Sequence, residues 1–166
     1  MAGKLLEWAE QDLIPKFTSW NKQNPQGDAV QSGRYRPDFT WVSGDGVVIL
    51  EHDEEKHARY TKRCELVRMG EVGVGYGGQP VYWVRFNPDG FKVAGATRKI
   101  GKDERHAMVL KLLDEALAMP DYEHLITICY VCYDKPHTDA ESDLVQTFKF
   151  KDYEAFCVWA DVVAPA

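Results

Sequence analysis

At 166 residues the chain is long enough for one domain with a real core, and its 45% hydrophobic and 12% aromatic content is ordinary for a globular protein. A net charge of −6 argues against a protein held to nucleic acid by bulk charge, although bound metal would offset acids gathered in a site. No apolar run approaches the roughly 20 residues of a membrane span, and Glu7 comes too early for a secretory signal. Cys64, Cys129, Cys132 and Cys157 have no framework spacing, so the expectation is reduced thiols in an intracellular compartment, cytoplasmic or nuclear.

Residues 4–18 carry Leu5, Leu6, Ala9, Leu13 and Ile14 at helical spacing, and Pro15 marks the end of that helix. Glu7 and Glu10 lie on or near its apolar face. After a polar loop over 21–28, a strand runs from Phe39, with Pro37 at its mouth. Ser43-Gly44-Asp45-Gly46 is a hairpin turn, and Val47 to Leu50 is the antiparallel return strand. Tyr60 to Val72 reads as a helix, with Cys64, Val67, Arg68 and Glu71 recurring every three or four residues. Gly73-Val74-Gly75-Tyr76-Gly77-Gly78 matches a dinucleotide glycine pattern in form only. It follows a helix and precedes a strand, the reverse of a phosphate-binding turn, and is expected to be a flexible loop.

Pro80 to Phe86 is the next strand and Asn87-Pro88-Asp89-Gly90 a turn, after which Phe91 to Val93 starts a short hairpin partner. Asp103 to Met119 is a helix closed by Pro120. Leu125 to Tyr133 is apolar and β-branched enough to be a central strand covered on both faces. There Cys129 and Cys132 form a CxxC, but on a strand they point to opposite faces, which argues against zinc. A polar loop, an edge strand from Gln146 to Phe150 and an aromatic helix from Asp152 to Val162 close the chain. The order describes one α/β domain over residues 1–166, with a mixed sheet sandwiched by helices.

Chemistry concentrates between Val47 and His57, where a buried strand runs into Glu51-His52-Asp53-Glu54-Glu55. Glu51 and Asp53 are two apart, so on extended chain they share a face. The hairpin sets Asp38 alongside them, and three carboxylates converge. Acids at the end of a buried strand are costly unless compensated, and a divalent cation compensates carboxylate oxygens. His52 faces the other way. It lies five residues from His57, not the four a zinc-protease helix needs.

Arg36-Pro37-Asp38-Phe39, a hairpin, then Glu51-His52-Asp53-Glu54-Glu55-Lys56-His57, Tyr60, Cys64-Glu65 with Arg68-Met69, and Arg85-Phe86-Asn87-Pro88-Asp89 resemble the PD-(D/E)XK nuclease superfamily. The closest likeness is to an uncharacterised branch seen in large DNA viruses and algae. It covers residues 36–89 well, reaches loosely to the strand at 125–133, and leaves out the tail from His137. The resemblance implies a restriction-endonuclease-like mixed central sheet flanked by helices. It also implies Mg²⁺ or Mn²⁺ held by Asp38 and Glu51. The third motif position, usually lysine, is Asp53 here, which either joins the metal set or disables the enzyme. Lys56 is the substitute cation the resemblance offers, His57 a base or outer partner, and Glu7 or Glu10 the acid of the first helix.

The expected activity is metal-dependent hydrolysis of phosphodiester bonds, with DNA favoured over RNA, no membrane partner, and a homodimer as one way to cut two strands. Arg68 or Arg85 would clamp the scissile phosphate. Alternatively, each arginine pairs structurally with Glu65, Glu71 or Asp89, and Asn87 and Asp89 cap a turn. Two rival functions stand beside the nuclease: an inactive nuclease-like module that binds nucleic acid or a protein, motivated by the missing lysine and the acidic charge, and a zinc site on His57 and nearby acids.

Overall fold

The computed structural model describes residues 37–43, 46–54, 61–118, 122–135 and 144–164. The expected helix over 4–18, with Glu7 and Glu10, lies outside these residues, as do Arg36, the centre of the first hairpin turn, Tyr60 and the loop over 136–143. The described elements are β1 (Phe39–Ser43), β2 (Gly46–His52), α1 (Lys62–Gly75), β3 (Val81–Phe86), β4 (Phe91–Val93), β5 (Ala96–Arg98), α2 (Lys102–Leu117), β6 (Ile126–Val131), β7 (Val145–Phe150) and α3 (Tyr153–Val163).

Five strands form one mixed sheet in the order β1-β2-β3-β6-β7, and β4 and β5 form a separate ribbon. β2, β3 and β6 are parallel to one another, and β1 and β7 run antiparallel at the edges. The three parallel strands therefore end at one edge of the sheet, and antiparallel β1 begins there. This α/β architecture with a mixed sheet and flanking helices agrees with the expected order.

Residues alternate between two apolar layers, as the pleat requires. Val47, Ile49, Val81, Trp83, Ile126 and Ile128 pack under Leu66, Met69 and Val72 of α1 and Phe156 of α3. Val48, Leu50, Val84, Phe86, Cys129 and Val131 pack under Val109, Leu113 and Ala116 of α2. Each fully buried side chain of this size contributes about 1.5–3 kcal/mol of transfer free energy, so these rows pin the register that aligns the strand ends. Helices α1 and α3 start at side-chain caps: the Thr61 hydroxyl accepts from the Cys64 amide at 3.2 Å and the Asp152 carboxylate from the Ala155 amide at 2.8 Å.

Three local expectations are corrected. The glycine segment is not a loop from Gly73 on: α1 continues to Gly75. Gly73 is buried there because a β-carbon would collide with the Tyr153 hydroxyl of α3, so glycine serves close helix packing. Only Gly77 and Gly78, at φ +76° and +75°, make the turn. Secondly, Phe91 to Val93 is not a hairpin partner of β3: it pairs with β5 in a separate ribbon. Thirdly, Cys129 and Cys132 do not face opposite ways but pack into the same core layer. Strand β6 stops at Val131, and Cys132 takes a left-handed φ of +63°, which breaks the alternation.

Candidate functional site

On the α1 side of the sheet the first two rows across β2, β3 and β6 are apolar: Val47-Val81-Ile126 and Ile49-Trp83-Ile128. The third row, at the carboxyl ends, is Glu51-Arg85-Tyr130. Asp53 follows Glu51, its amide donating to the Phe86 carbonyl at 2.8 Å. Phe39 pairs with Leu50, so Asp38 falls beside this row, and its Oδ2 accepts from the His52 amide at 2.8 Å. From above, α1 adds Glu65, Arg68 and Met69, spaced to fall on one helix face.

Asp53, with no exposed surface, is the centre of the cluster. Arg85 grips it with a two-point fork, Nε to Oδ2 at 2.7 Å and Nη2 to Oδ1 at 2.9 Å. The same Nη2 donates to Glu65 Oε2 at 2.6 Å, and Nη1 rests 3.6 Å from Met69 Sδ. The Tyr130 ring lies 5.7 Å from the Arg85 guanidinium carbon. The Tyr133 hydroxyl donates to Asp53 Oδ2. Arg68 donates from Nη2 to Glu51 Oε1 at 2.5 Å, and its Nη1 lies 3.9 Å from Glu65 Oε2.

Tyr133 reaches Asp53 because of the left-handed turn at Cys132. Asn87 fixes that turn, its Nδ2 donating to the Cys132 carbonyl at 2.7 Å and its amide to the Val131 carbonyl at 3.0 Å. The Asn87 side chain also accepts from the Asp89 amide at 3.0 Å, the turn-capping role expected of this pair.

Four carboxyl groups, Asp38, Glu51, Asp53 and Glu65, thus face two guanidinium groups, Arg68 and Arg85. Fully ionised, the described cluster would carry a surplus of two negative charges. Burial pushes the Glu51 carboxyl up to about 8, with Asp38 and Asp53 adding to the rise and Arg68 only partly opposing it. Burial likewise raises Asp38 beyond what the His52 amide restores. Burial alone would lower Arg85, but the Asp53 carboxylate holds it well above its usual range. Burial, then the Asp53 charge, raise the Tyr133 phenol, which stays a proton donor. Burial lowers His52 despite nearby Glu54 and Asp38, so its imidazole adds no positive charge near neutrality.

The convergence of Asp38, Glu51 and Asp53 read from the hairpin is present. Arg68 and Arg85 both join the cluster, and both are engaged in ion pairs with its acids. His52 turns away, as expected, with its ring 5.6 Å from that of Phe86. Lys56 and His57 lie outside the described residues. Tyr130 and Tyr133 are cluster members that sequence reasoning missed. The apolar run to Tyr133 was visible, but nothing in it announced the register against β3 or the turn at Cys132.

Among the described residues no group of three or more His, Cys, Asp or Glu side chains forms a ready metal cage. A smaller donor set is compatible with a hard cation. Glu51 Oε2 and Asp38 Oδ1 have no hydrogen-bond partner among the described residues, while both oxygens of Asp53 are taken. Magnesium is commonly held by one or two carboxylates with water and substrate phosphate filling the rest. Buried Glu51 and exposed Asp38, each with one open oxygen, in a cluster with two surplus negative charges, fit a divalent ion of that kind.

Compared with protein-family models, curated proteins and solved structures, the chain matches none. A depression of about 1070 Å³ between α1 and α3, lined by Leu66, Gly70, Val74 and Phe156, contains none of Asp38, Glu51 and Asp53. No helix among the described residues is long and apolar enough to cross a membrane.

Proposed function

We propose that the protein is a divalent-metal-dependent nuclease with a restriction-endonuclease-like domain, hydrolysing phosphodiester bonds of nucleic acid, DNA by preference. The observation that carries this reading is the surplus of carboxylate at the common end of β1, β2 and β3, with open oxygens on Asp38 and Glu51. Asp38 and Glu51 would hold Mg²⁺ or Mn²⁺, with Asp53 beside them. Bound there, the ion supplies charge stabilisation at the phosphate oxygens and lowers the pKa of the attacking water.

The remaining roles follow from exposure. The Arg85 side chain is 4% exposed and the Arg68 side chain 14%. Arg85 is a positioning residue: it neutralises Asp53 and Glu65 and supplies, from β3, the positive charge that the motif lacks at position 53. Arg68 stands at the rim and is the guanidinium to meet a phosphate when Glu51 turns its charge to a metal. Tyr133 orients Asp53 and keeps the fork in register. An intracellular location suits a nucleic acid substrate, and two copies of the site would be needed to cut both strands of a duplex at once.

A second reading is favoured by one observation: the Asp53–Arg85 fork fills the place of the motif lysine with a closed ion pair. On it, the domain binds nucleic acid without cutting. Cleavage of labelled DNA and RNA with Mn²⁺ decides, comparing wild type with Asp38→Ala and Glu51→Ala. A nuclease loses on the order of 100-fold or more in each variant. Equal activity in all three preparations, or none in the wild type, removes the proposal.

A further inference from the structure

Residues 91–102 contain Lys92, Arg98, Lys99 and Lys102 and no acid, a local charge of +4 in a chain of −6. This segment is the β4–β5 ribbon and the start of α2. The ribbon is built to stand firm. Its two-residue turn, Ala94-Gly95, has φ values of +48° and +79°, the left-handed pair that matches ribbon twist. Phe91 and Val93 are buried and anchor one strand, while residues 94–99 are all exposed.

The ribbon is fastened to the same sheet end as the carboxylate cluster. It begins at Phe91, six residues after Arg85 and directly past the Asn87-Pro88-Asp89-Gly90 segment. The Lys135 amide donates to the Lys92 carbonyl at 2.8 Å, and the Lys92 amide to Asp134 Oδ1 at 2.6 Å. Lys135 and Asp134 directly follow Tyr133, whose hydroxyl holds Asp53. Arg105 of α2 closes the base, donating to the Pro88 and Asp89 carbonyls at 2.9 and 2.7 Å. Asp103 and Glu104 sit near this base, but in the first turn of α2, where a helix's positive end favours acids. The side chains of Lys92, Lys99 and Lys102 make no ion pair among the described residues.

We propose that the β4–β5 ribbon, with Lys92, Arg98, Lys99 and Lys102, is a docking arm for the phosphate backbone of duplex DNA lying across the carboxyl ends of β2, β3 and β6. Ligands of open α/β sheets sit outside those strand ends. A two-stranded ribbon is narrow enough to enter a major groove, and the small tip residues Ala94, Gly95, Ala96 and Thr97 let the backbone approach closely. The arm explains how an acidic protein engages a polyanion: the attraction is local to this +4 segment. The inference deepens the nuclease reading and rests on it for the position of the scissile bond, not for the binding itself.

The test is fluorescence anisotropy of a labelled DNA duplex with the full chain in Ca²⁺, compared for wild type, Lys151→Ala at the opposite end of the sheet, and the fourfold variant with Lys92, Arg98, Lys99 and Lys102 changed to Ala. Circular dichroism checks that each is folded. Lys151→Ala should bind as the wild type does. The fourfold variant should bind at least about tenfold more weakly, with a logarithmic salt slope shallower by about 3 to 4, near one unit per lost phosphate contact. Wild-type affinity and slope in the fourfold variant would overturn the proposal. So would no duplex binding by the wild type, or equal binding of a polyglutamate chain. Binding that needs the arm without Mn²⁺-dependent cleavage would keep the arm and remove the nuclease.

Discussion

The two faces of the central sheet are made by the same strands in the same register, yet they end differently. On the α2 side the last row is His52-Phe86-Val131, apolar on β3 and β6 and ending in a half-buried histidine on β2. On the α1 side the apolar rows stop one row short, and Glu51, Arg85 and Tyr130 take the last places. An apolar row needs only volume to be filled, whereas a buried polar row needs every charge answered. The α1 side answers most of its charge with two arginines and leaves a surplus. Both faces thus carry apolar core, and the charged chemistry is gathered at the strand ends of the α1 side.

That contrast can be broken from either side. The largest effect is expected from Arg85→Met, which leaves Asp53 and Glu65 buried without their cation and should cost about 3–5 kcal/mol in urea unfolding. Double replacement of Arg85 and Asp53 by apolar residues should recover much of that loss while abolishing any cleavage. On the opposite face Leu113→Ala should cost about 3 kcal/mol as a cavity and leave metal binding intact. Tyr133→Phe should cost about 1–2 kcal/mol, because Asp53 loses one donor but keeps its fork.

The last effect is a pH slope, to which Glu51 and His52 contribute with opposite signs. Glu51 titrates at 4.5 when unfolded and at about 8 when folded, so the folded state holds the extra proton and stability falls as pH rises through that window. His52 is lowered on folding, so its contribution is lost as pH falls below its unfolded value of 6.5. In the absence of divalent metal, Glu51→Gln should therefore gain stability over wild type progressively between pH 4.5 and about 8, as read by urea unfolding at several pH values. A constant difference across that range would mean that Glu51 is already ionised when folded.

Much of this site was legible in the sequence because hairpin geometry is local. The turn at 43–46 and a period of two place Asp38 beside Glu51 without knowledge of the rest of the sheet. Arg68 and Arg85 were legible as residues of interest but not as partners, since their pairing depends on a helix crossing the sheet. Tyr133 was not legible at all. Its position hangs on a left-handed cysteine held by an asparagine that lies 45 residues away in sequence, and a non-glycine residue carries no signal for that conformation. The glycine segment misled for a related reason. Gly73 looks like loop punctuation, but it is small to admit Tyr153 from a helix that begins 80 residues later.

The central claim is that Asp38 and Glu51 share a divalent ion while Asp53 stays with Arg85. Anomalous diffraction from crystals soaked in Mn²⁺ tests it directly. The account predicts a manganese peak in contact with both Asp38 and Glu51, the Asp53–Arg85 fork unbroken, and loss of the peak in Glu51→Gln. No peak at saturating Mn²⁺, or a peak held elsewhere and untouched by Glu51→Gln, would contradict it.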